Sequence, residues 1–520
     1  MHRLSLIIGG AAVLVVVIAY LRVALRSRRT LRSIDDFFIF NRRLRESSVF
    51  SSTFAAEMSL ATVFIAFMTL AAVLGLNLVV AMITFVAGQF VLWLIIPAIK
   101  ARVRWGETLP TFIGNAYDSE LLRAVASLTS IIGFVGLFGT EILVGSGLFT
   151  ALAGTSSAHI AVVAVVTALV VFYTALGGFK SVVTTDRWQT AGLVLVIAVL
   201  VYAALTLGSG GNAIVPLHFY DEFQFSYLLF TNFLIINTLY PICDMSAWQR
   251  IAAARDTRSA RRGFFAAMMS FLLTWSLLIF AALALAQIIQ GESGGGALLV
   301  PLRLLAESGL IGTLLVGLSL AALAAALLST GDTFLIAAAH TLAIDLSAKR
   351  FFEERRAVEQ AVASSSVQGA GELPPPIAPI PVADECHAGV TAQEVLRRTR
   401  ISIVAMAGVG VVLLGALQAI GFAVADFVFV IYGSTVALLP VIAGAFLIRS
   451  PDRRRRLTPF AVAALITGLL AGWAYGIASV VGAAPALPLI GAGSAYNSPS
   501  LAVFVAASVY LIGLVVPSRI

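Results

Sequence analysis

Thirteen stretches of this chain are apolar over about the 20 residues a helix needs to cross a bilayer: 4–25, 50–75, 78–100, 121–153, 158–176, 188–208, 226–248, 263–290, 309–344, 401–420, 425–448, 457–482 and 498–516. With 60% hydrophobic and 12% charged residues and a mean hydropathy of +0.99, the composition exceeds what a soluble core of 520 residues requires. The expected fold class is an all-α polytopic membrane protein of about 13 transmembrane helices.

The net charge of +8 is a topology signal. With the N-terminus outside and the C-terminus cytoplasmic, only Arg3 and Arg303 of the 34 Lys and Arg fall outside. Arg26 to Arg45, Arg250 to Arg262, Lys349 to Arg356 and Arg449 to Arg456 all fall inside, as the positive-inside rule demands. A nucleic-acid partner is therefore not expected; the lipid bilayer is, in a bacterial-type inner (plasma) membrane. Residues 4–25 are too long for a secretory signal and run into Arg22, Arg26, Arg28 and Arg29 instead of a cleavage site, so a retained first span is expected. Cys243 and Cys386 make neither a disulfide framework nor a metal site.

The chain divides into residues 1–49, a first helix and basic linker; 50–208 and 226–448, two blocks of five spans; and 449–520, two final spans. Residues 357–392, with Ser364 to Ser366 and Pro374 to Pro376, read as a disordered cytoplasmic insert in the second block. An odd number of spans inverts the second block relative to the first, the 5+5 arrangement of inverted-repeat transporters, whose sites lie where the first helix of each block is interrupted. Polar residues mark both places: Glu57, Ser59 and Thr62 in the first, Asn237, Pro241 and Asp244 in the second. Proline frees a backbone carbonyl; the first place has neither proline nor glycine.

Acids inside a membrane are costly and functional by default. Glu57, Glu141, Asp244 and Asp332 lie well within spans, and no Lys or Arg is expected at comparable depth, so cations or protons must supply the balance. A second cluster, Ser329, Thr330, Asp332 and Thr333 around Gly331, offers the oxygens a hard monovalent cation takes. His340 reads as a helix-packing histidine near the inner surface, with a proton relay as the sharper alternative.

Residues 173–189, YTALGGFKSVVTTDRWQ, read as a polar Gly-Gly loop at a membrane surface, with Thr185-Asp186 capping the next helix. This stretch, the AxxST spacing of Ala326, Ser329 and Thr330, and the MSAWQRIAAARD run at 245–256 resemble the sodium:solute symporter family, over roughly residues 30–450. The resemblance implies a LeuT-like core and a sodium site formed by Ala55, Met58, Ala326, Ser329 and Thr330, with Ala326 giving its carbonyl. It also implies a possible second cation or proton site at Asp186, Asp332 and Thr333, with Ser329 alongside. Asp332 stands where the family usually has a hydroxyl. The substrate pocket is expected around Glu57, Ser59, Glu141, Asn237, Tyr240 and Asp244.

The expected function is sodium-coupled import of a small organic solute, such as an amino acid, polyol or amine, by alternating access. Sodium is the coupling ion, and neither a cofactor nor catalysis is expected. With no basic residue foreseen in the pocket, a cationic, zwitterionic or neutral solute is favoured, although helix N-termini offer a carboxylate a second route. The alternatives are a symporter-like sensor and a partly proton-coupled transporter. An intramembrane protease is disfavoured, since the residue two before Asp332 is Thr330 where that motif needs Gly.

Overall fold

A computed structural model describes residues 3–103, 107–153, 158–208, 223–292, 294–366, 385–419, 424–486 and 494–516. The helices are α1 (Arg3–Arg29), α2 (Ile34–Ile39), α3 (Glu46–Glu57), α4 (Ala66–Leu74), α5 (Leu78–Arg102), α6 (Leu109–Tyr117), α7 (Glu120–Ala153), α8 (Ala158–Leu207), α9 (Phe223–Cys243) and α10 (Met245–Ala253). They continue with α11 (Thr257–Ala284), α12 (Gly295–Glu307), α13 (Leu310–Leu342), α14 (Lys349–Ser366), α15 (Ala392–Ala419), α16 (Val424–Val436), α17 (Leu439–Leu447), α18 (Pro451–Val480) and α19 (Ser498–Val515). A two-stranded hairpin, Cys386–His387 against Val390–Thr391, precedes α15.

Ten helices among the described residues are long and apolar enough to cross a membrane, or eleven with the bent pair formed by α3 and Leu60–Ala72. The remaining difference from thirteen lies in α9, which is not among them, and in α8, which counts once. At 50 residues, a straight α8 would run about 75 Å, more than twice a hydrocarbon core. It turns at Gly178, where φ is +58 and ψ −158, giving two limbs. A Cβ there would sit 2.6 Å from the Phe37 ring and carbonyl, so only glycine fits.

This overturns one expectation about residues 173–189. They are helical on both sides of a single-residue break, and Asp186 is no cap. It lies two turns into the second limb, where Thr185 Oγ1 donates to the Ser181 carbonyl (3.1 Å) and Thr190 Oγ1 to that of Asp186 (2.8 Å). The apolar residues flanking the polar stretch let the helix continue, and the hydroxyls bond back to the preceding turn instead of capping a new one.

α13 is the centre of the bundle, packed against α1, α7 and α8. Small residues allow the approach: Gly145 of α7 faces Leu327, and Gly192 of α8 faces Ala322. At the basic end of the bundle, α2 leads through three consecutive left-handed residues, Phe40, Asn41 and Arg42 (φ +50, +49 and +55), into Leu44. Each such residue costs about 1–2 kcal/mol. Leu44 pairs in parallel with the end of α10, its N–H reaching the Ala253 carbonyl (3.1 Å) and its carbonyl accepting from the Arg255 N–H (2.9 Å). The last carbonyls of α10 are also capped by Lys100, whose Nζ donates to Ile251, Ala252 and Ala254 (3.0, 2.9 and 2.5 Å).

Candidate functional site

Two interrupted helices face the middle of the bundle. The first ends where Met58 leaves helical geometry (φ −89, ψ 59) and Ser59 becomes extended (φ −60, ψ 139), bending the pair by 55°. The hydrogen-bond ladder of α3 closes with Met58 N–H to the Phe54 carbonyl, so carbonyls in its last turn are released from helical pairing. Glu141 of α7 holds this break. One of its carboxylate oxygens accepts from Ser59 Oγ (2.6 Å) and Ala61 N (3.4 Å), the other from Leu60 N (2.9 Å). It acts as an N-cap supplied from another helix, a carboxylate at the positive end of a half-helix. Ser59 adds the ordinary cap, accepting from Thr62 N at 2.9 Å.

The second break separates α9 from α10 at Asp244, which caps α10 itself. Its carboxylate accepts from Ser246 N (2.8 Å), Ser246 Oγ (2.7 Å) and Ala247 N (3.2 Å). Both half-helix N-termini are thus capped by the protein's own carboxylates. Glu57, half-buried, is the last residue of α3 before the first break and lies near Asp244. Tyr240 is buried and packs edge-on against Tyr432 at 4.9 Å. Asn237 instead turns to α5, donating to the Ala81 carbonyl (3.0 Å) and Thr84 Oγ1 (3.3 Å), a helix-packing role.

The residues expected to hold sodium are Ala55 and Met58 on α3 and Ala326, Ser329 and Thr330 on α13. All are fully buried, and the two helices are in contact. Ser329 Oγ donates to Asp186 Oδ1 (3.1 Å). Thr330 Oγ1 is buried with no protein partner, an orphaned oxygen of the kind a cation satisfies. Asp332 accepts from the Tyr173 hydroxyl, which also reaches the Leu328 carbonyl at 3.0 Å. The aromatic residue that opens the Gly-Gly stretch is therefore a direct partner of this acid, a link the sequence reading missed. Tyr20 of α1 stands edge-on to Tyr173, centroids 5.5 Å apart.

The expectation that no basic residue lies as deep as the acids is overturned by Arg250, 2% exposed. Its guanidinium donates to Ser52 Oγ (3.0 Å), the Ser246 carbonyl (3.1 Å) and Thr333 Oγ1 (3.0 Å), and it lies near Asp186, Asp244 and Glu57. In the sequence Arg250 reads as the first charge of an inside loop. α10, extended to Ala253 and buried on all sides, carries it inward. Thr333, expected in a second cation site, is already partnered by this guanidinium. The one available signal was the Trp-Gln-Arg run, which marks a helix and not a loop.

Residues 37–221 match the sodium:solute symporter family. The sodium/pantothenate symporter of Escherichia coli (strain K12) is 31% identical over 212 residues, 38% of this chain and 41% of that protein. The match therefore spans about two fifths of that curated relative's length. The chain superposes on a Na+-coupled sialic acid symporter, solved substrate-bound and outward-open, with a TM-score of 0.64, 14% identity and 98% of each chain covered. It also superposes on Mhp1, a nucleobase-cation-symport-1 family transporter closed around bromovinylhydantoin, with a TM-score of 0.50, 13% identity, and 92% and 93% covered. At such identities the structures speak to fold: a LeuT-like helical membrane protein.

Proposed function

Taking as premise that the chain is a relative of the sodium:solute symporters, we propose that it is a sodium-coupled symporter importing a small organic solute by alternating access. The observations carrying this reading are the opened last turn of α3 and the buried, unpartnered hydroxyl of Thr330 on α13, a helix in contact with α3. Sodium held by Ala55, Met58, Ala326, Ser329 and Thr330 ties the first interrupted helix to α13 and orders the break beside Glu57. Reciprocity then requires the solute to raise sodium affinity by the same factor that sodium raises solute affinity. The basic end of the bundle is the cytoplasmic one, by the positive-inside rule.

The solute is cationic, zwitterionic or neutral. The support differs from that read in the sequence: a basic residue is present, but Arg250 is committed to Ser52, Ser246 and Thr333. Glu141 and Asp244 occupy both half-helix N-termini, and Glu57 remains half-buried at the pocket. A second reading adds a proton to the cycle through Asp332, whose carboxylate is partnered by the Tyr173 hydroxyl.

The test is a thermal-shift screen of amines, amino acids and polyols in NaCl against KCl, followed by vesicle uptake of the hit. A true solute stabilises the protein only with sodium, and uptake falls with Ser329→Ala/Thr330→Ala. Uptake indifferent to both sodium and that double substitution overturns the proposal. An uptake pH dependence abolished by Asp332→Asn supports the second reading, and one unchanged by it removes that reading.

A further inference from the structure

Tyr432 of α16 is not among the pocket residues expected from the sequence, yet its ring meets that of Tyr240 on α9 at 4.9 Å and 90°. Two rings at a right angle make a corner, with part of a π face on each wall. Both tyrosines lie near Glu57 and Asp244, and Tyr432 is also near Glu141 and within hydrogen-bonding reach of Thr62. Thr62 belongs to the turn that Ser59 caps. The corner is therefore bounded by the first break on one side and by the last turn of α9 on the other. Glu57, Thr62 and Tyr432 each keep part of their surface open, although the residues on either side of each are buried. Inside a bundle, such surface belongs to a cavity.

The acids around this cavity are not equally committed. Glu141 and Asp244 each accept three hydrogen bonds. Glu57 makes no hydrogen bond or salt bridge among the described residues. The guanidinium near it, Arg250, donates to Ser52, Ser246 and Thr333 and is shared with Asp186 and Asp244. An acid left without a donor inside a membrane protein needs a counter-charge brought from outside the chain, or a proton. What stands beside Glu57 is aromatic. A hard ion such as sodium takes several oxygens, whereas ring faces suit an ammonium whose charge is spread over its methyl or methylene groups. A neutral hydroxyl-bearing solute gains little from either the rings or the charge.

We propose that the solute is an organic cation, its ammonium group seated in the Tyr240–Tyr432 corner against the Glu57 carboxylate. The proposal rests on the symport reading and narrows it, setting polyols and other uncharged solutes aside. The two cations are divided by chemistry: sodium goes to the oxygens between α3 and α13, the ammonium to the rings of α9 and α16. Glu57 stands in the chain between Ala55 and Met58, so an ammonium drawn to its carboxylate settles on the same turn that offers sodium its carbonyls. That shared turn is the route by which each occupant changes the affinity of the other.

The experiment compares cations with uncharged molecules of the same shape. Thermal stabilisation of the full chain in detergent is titrated with choline against its isostere in which a tert-butyl group replaces the trimethylammonium, and with butylammonium against butanol, each in NaCl and in KCl. At least one cation is expected to act at roughly tenfold lower concentration than its uncharged counterpart. Glu57→Gln should erase that preference. Tyr432→Leu should weaken the cation about tenfold, and Tyr432→Phe, which keeps the ring face, should recover most of the loss. Uncharged counterparts that match their cations, or silence of both cations up to millimolar concentration, overturn the proposal. Both outcomes are read on the parent protein, so they stand even where a variant fails to fold. A cation preference that survives intact in monodisperse Glu57→Gln and Tyr432→Leu overturns the corner as its seat. A preference lost in those variants but equal in NaCl and KCl supports the ammonium site while counting against sodium coupling.

Discussion

The two interrupted helices do the same job by opposite means. At the second break the chain carries its own instruction: Asp244 leaves the helix and caps the one that follows, accepting three hydrogen bonds from residues two and three positions on. At the first break no residue between Ala55 and Ala61 is proline, glycine or aspartate. The cap is Glu141, some eighty positions away on α7. A break capped within its own segment holds wherever that segment folds, whereas the first break, with only the Ser59–Thr62 bond of its own, relies on docked α7 for the rest. The first break, whose opened turn supplies the proposed sodium ligands, is therefore the one whose geometry depends on tertiary packing.

The largest effect that probes this difference is expected from Glu141→Ala. It strands the donors of Ser59, Leu60 and Ala61 and should destabilise the protein by about 3 kcal/mol, read as a lowered midpoint of unfolding in detergent. Glu141→Gln, which keeps an acceptor, should recover part of it; an effect of Glu141→Ala under about 1 kcal/mol would mean that the break is intrinsic to α3. Asp244→Ala comes next, at about 1–2 kcal/mol for a lost local cap, with Asp244→Asn closer to neutral. If Asp244→Ala proved as damaging as Glu141→Ala, the distinction between local and distant capping would collapse.

Thr330→Ala should weaken sodium affinity roughly tenfold, about 1.4 kcal/mol, with little change in stability in KCl. Thermal stabilisation titrated with NaCl measures it, and an unaltered titration removes Thr330 from the ion site. The smallest effect belongs to Pro241→Ala, expected within about 1 kcal/mol. Pro241 sits inside α9, one turn before a break that Asp244 already accounts for. A large gain in stability with loss of solute response would instead mean that the proline makes the break.

Much of the site could be read before any fold was known. Ser329 and Thr330 stood out as adjacent hydroxyls in an apolar run, and Glu141 and Asp244 as acids in spans. Their identities were legible because burial of a polar group is visible against hydropathy; their roles were not. Glu141 and Asp244 were read as pocket residues, and the structure adds that each caps a half-helix. The burial of Arg250 was missed because one further turn of α10, a matter of packing, separates a loop arginine from a buried one. Tyr173 and Asp332 lie far apart in the chain, and only the packing of α8 on α13 joins them.

By itself the sequence determined that this chain is a bundle of membrane-crossing helices, which face is basic, and where the oxygen-rich residues lie along each helix. These follow from short-range physics: hydropathy over a window, the reach of one hydroxyl to the preceding turn, the steric freedom of Gly178. The tertiary structure alone decided which acid caps which break, that a guanidinium stands among the buried carboxylates, and that Tyr432 meets Tyr240. Those are contacts between segments tens to hundreds of residues apart. Their energies come from satisfying polar groups that no neighbour in sequence can reach, so no local pattern records them.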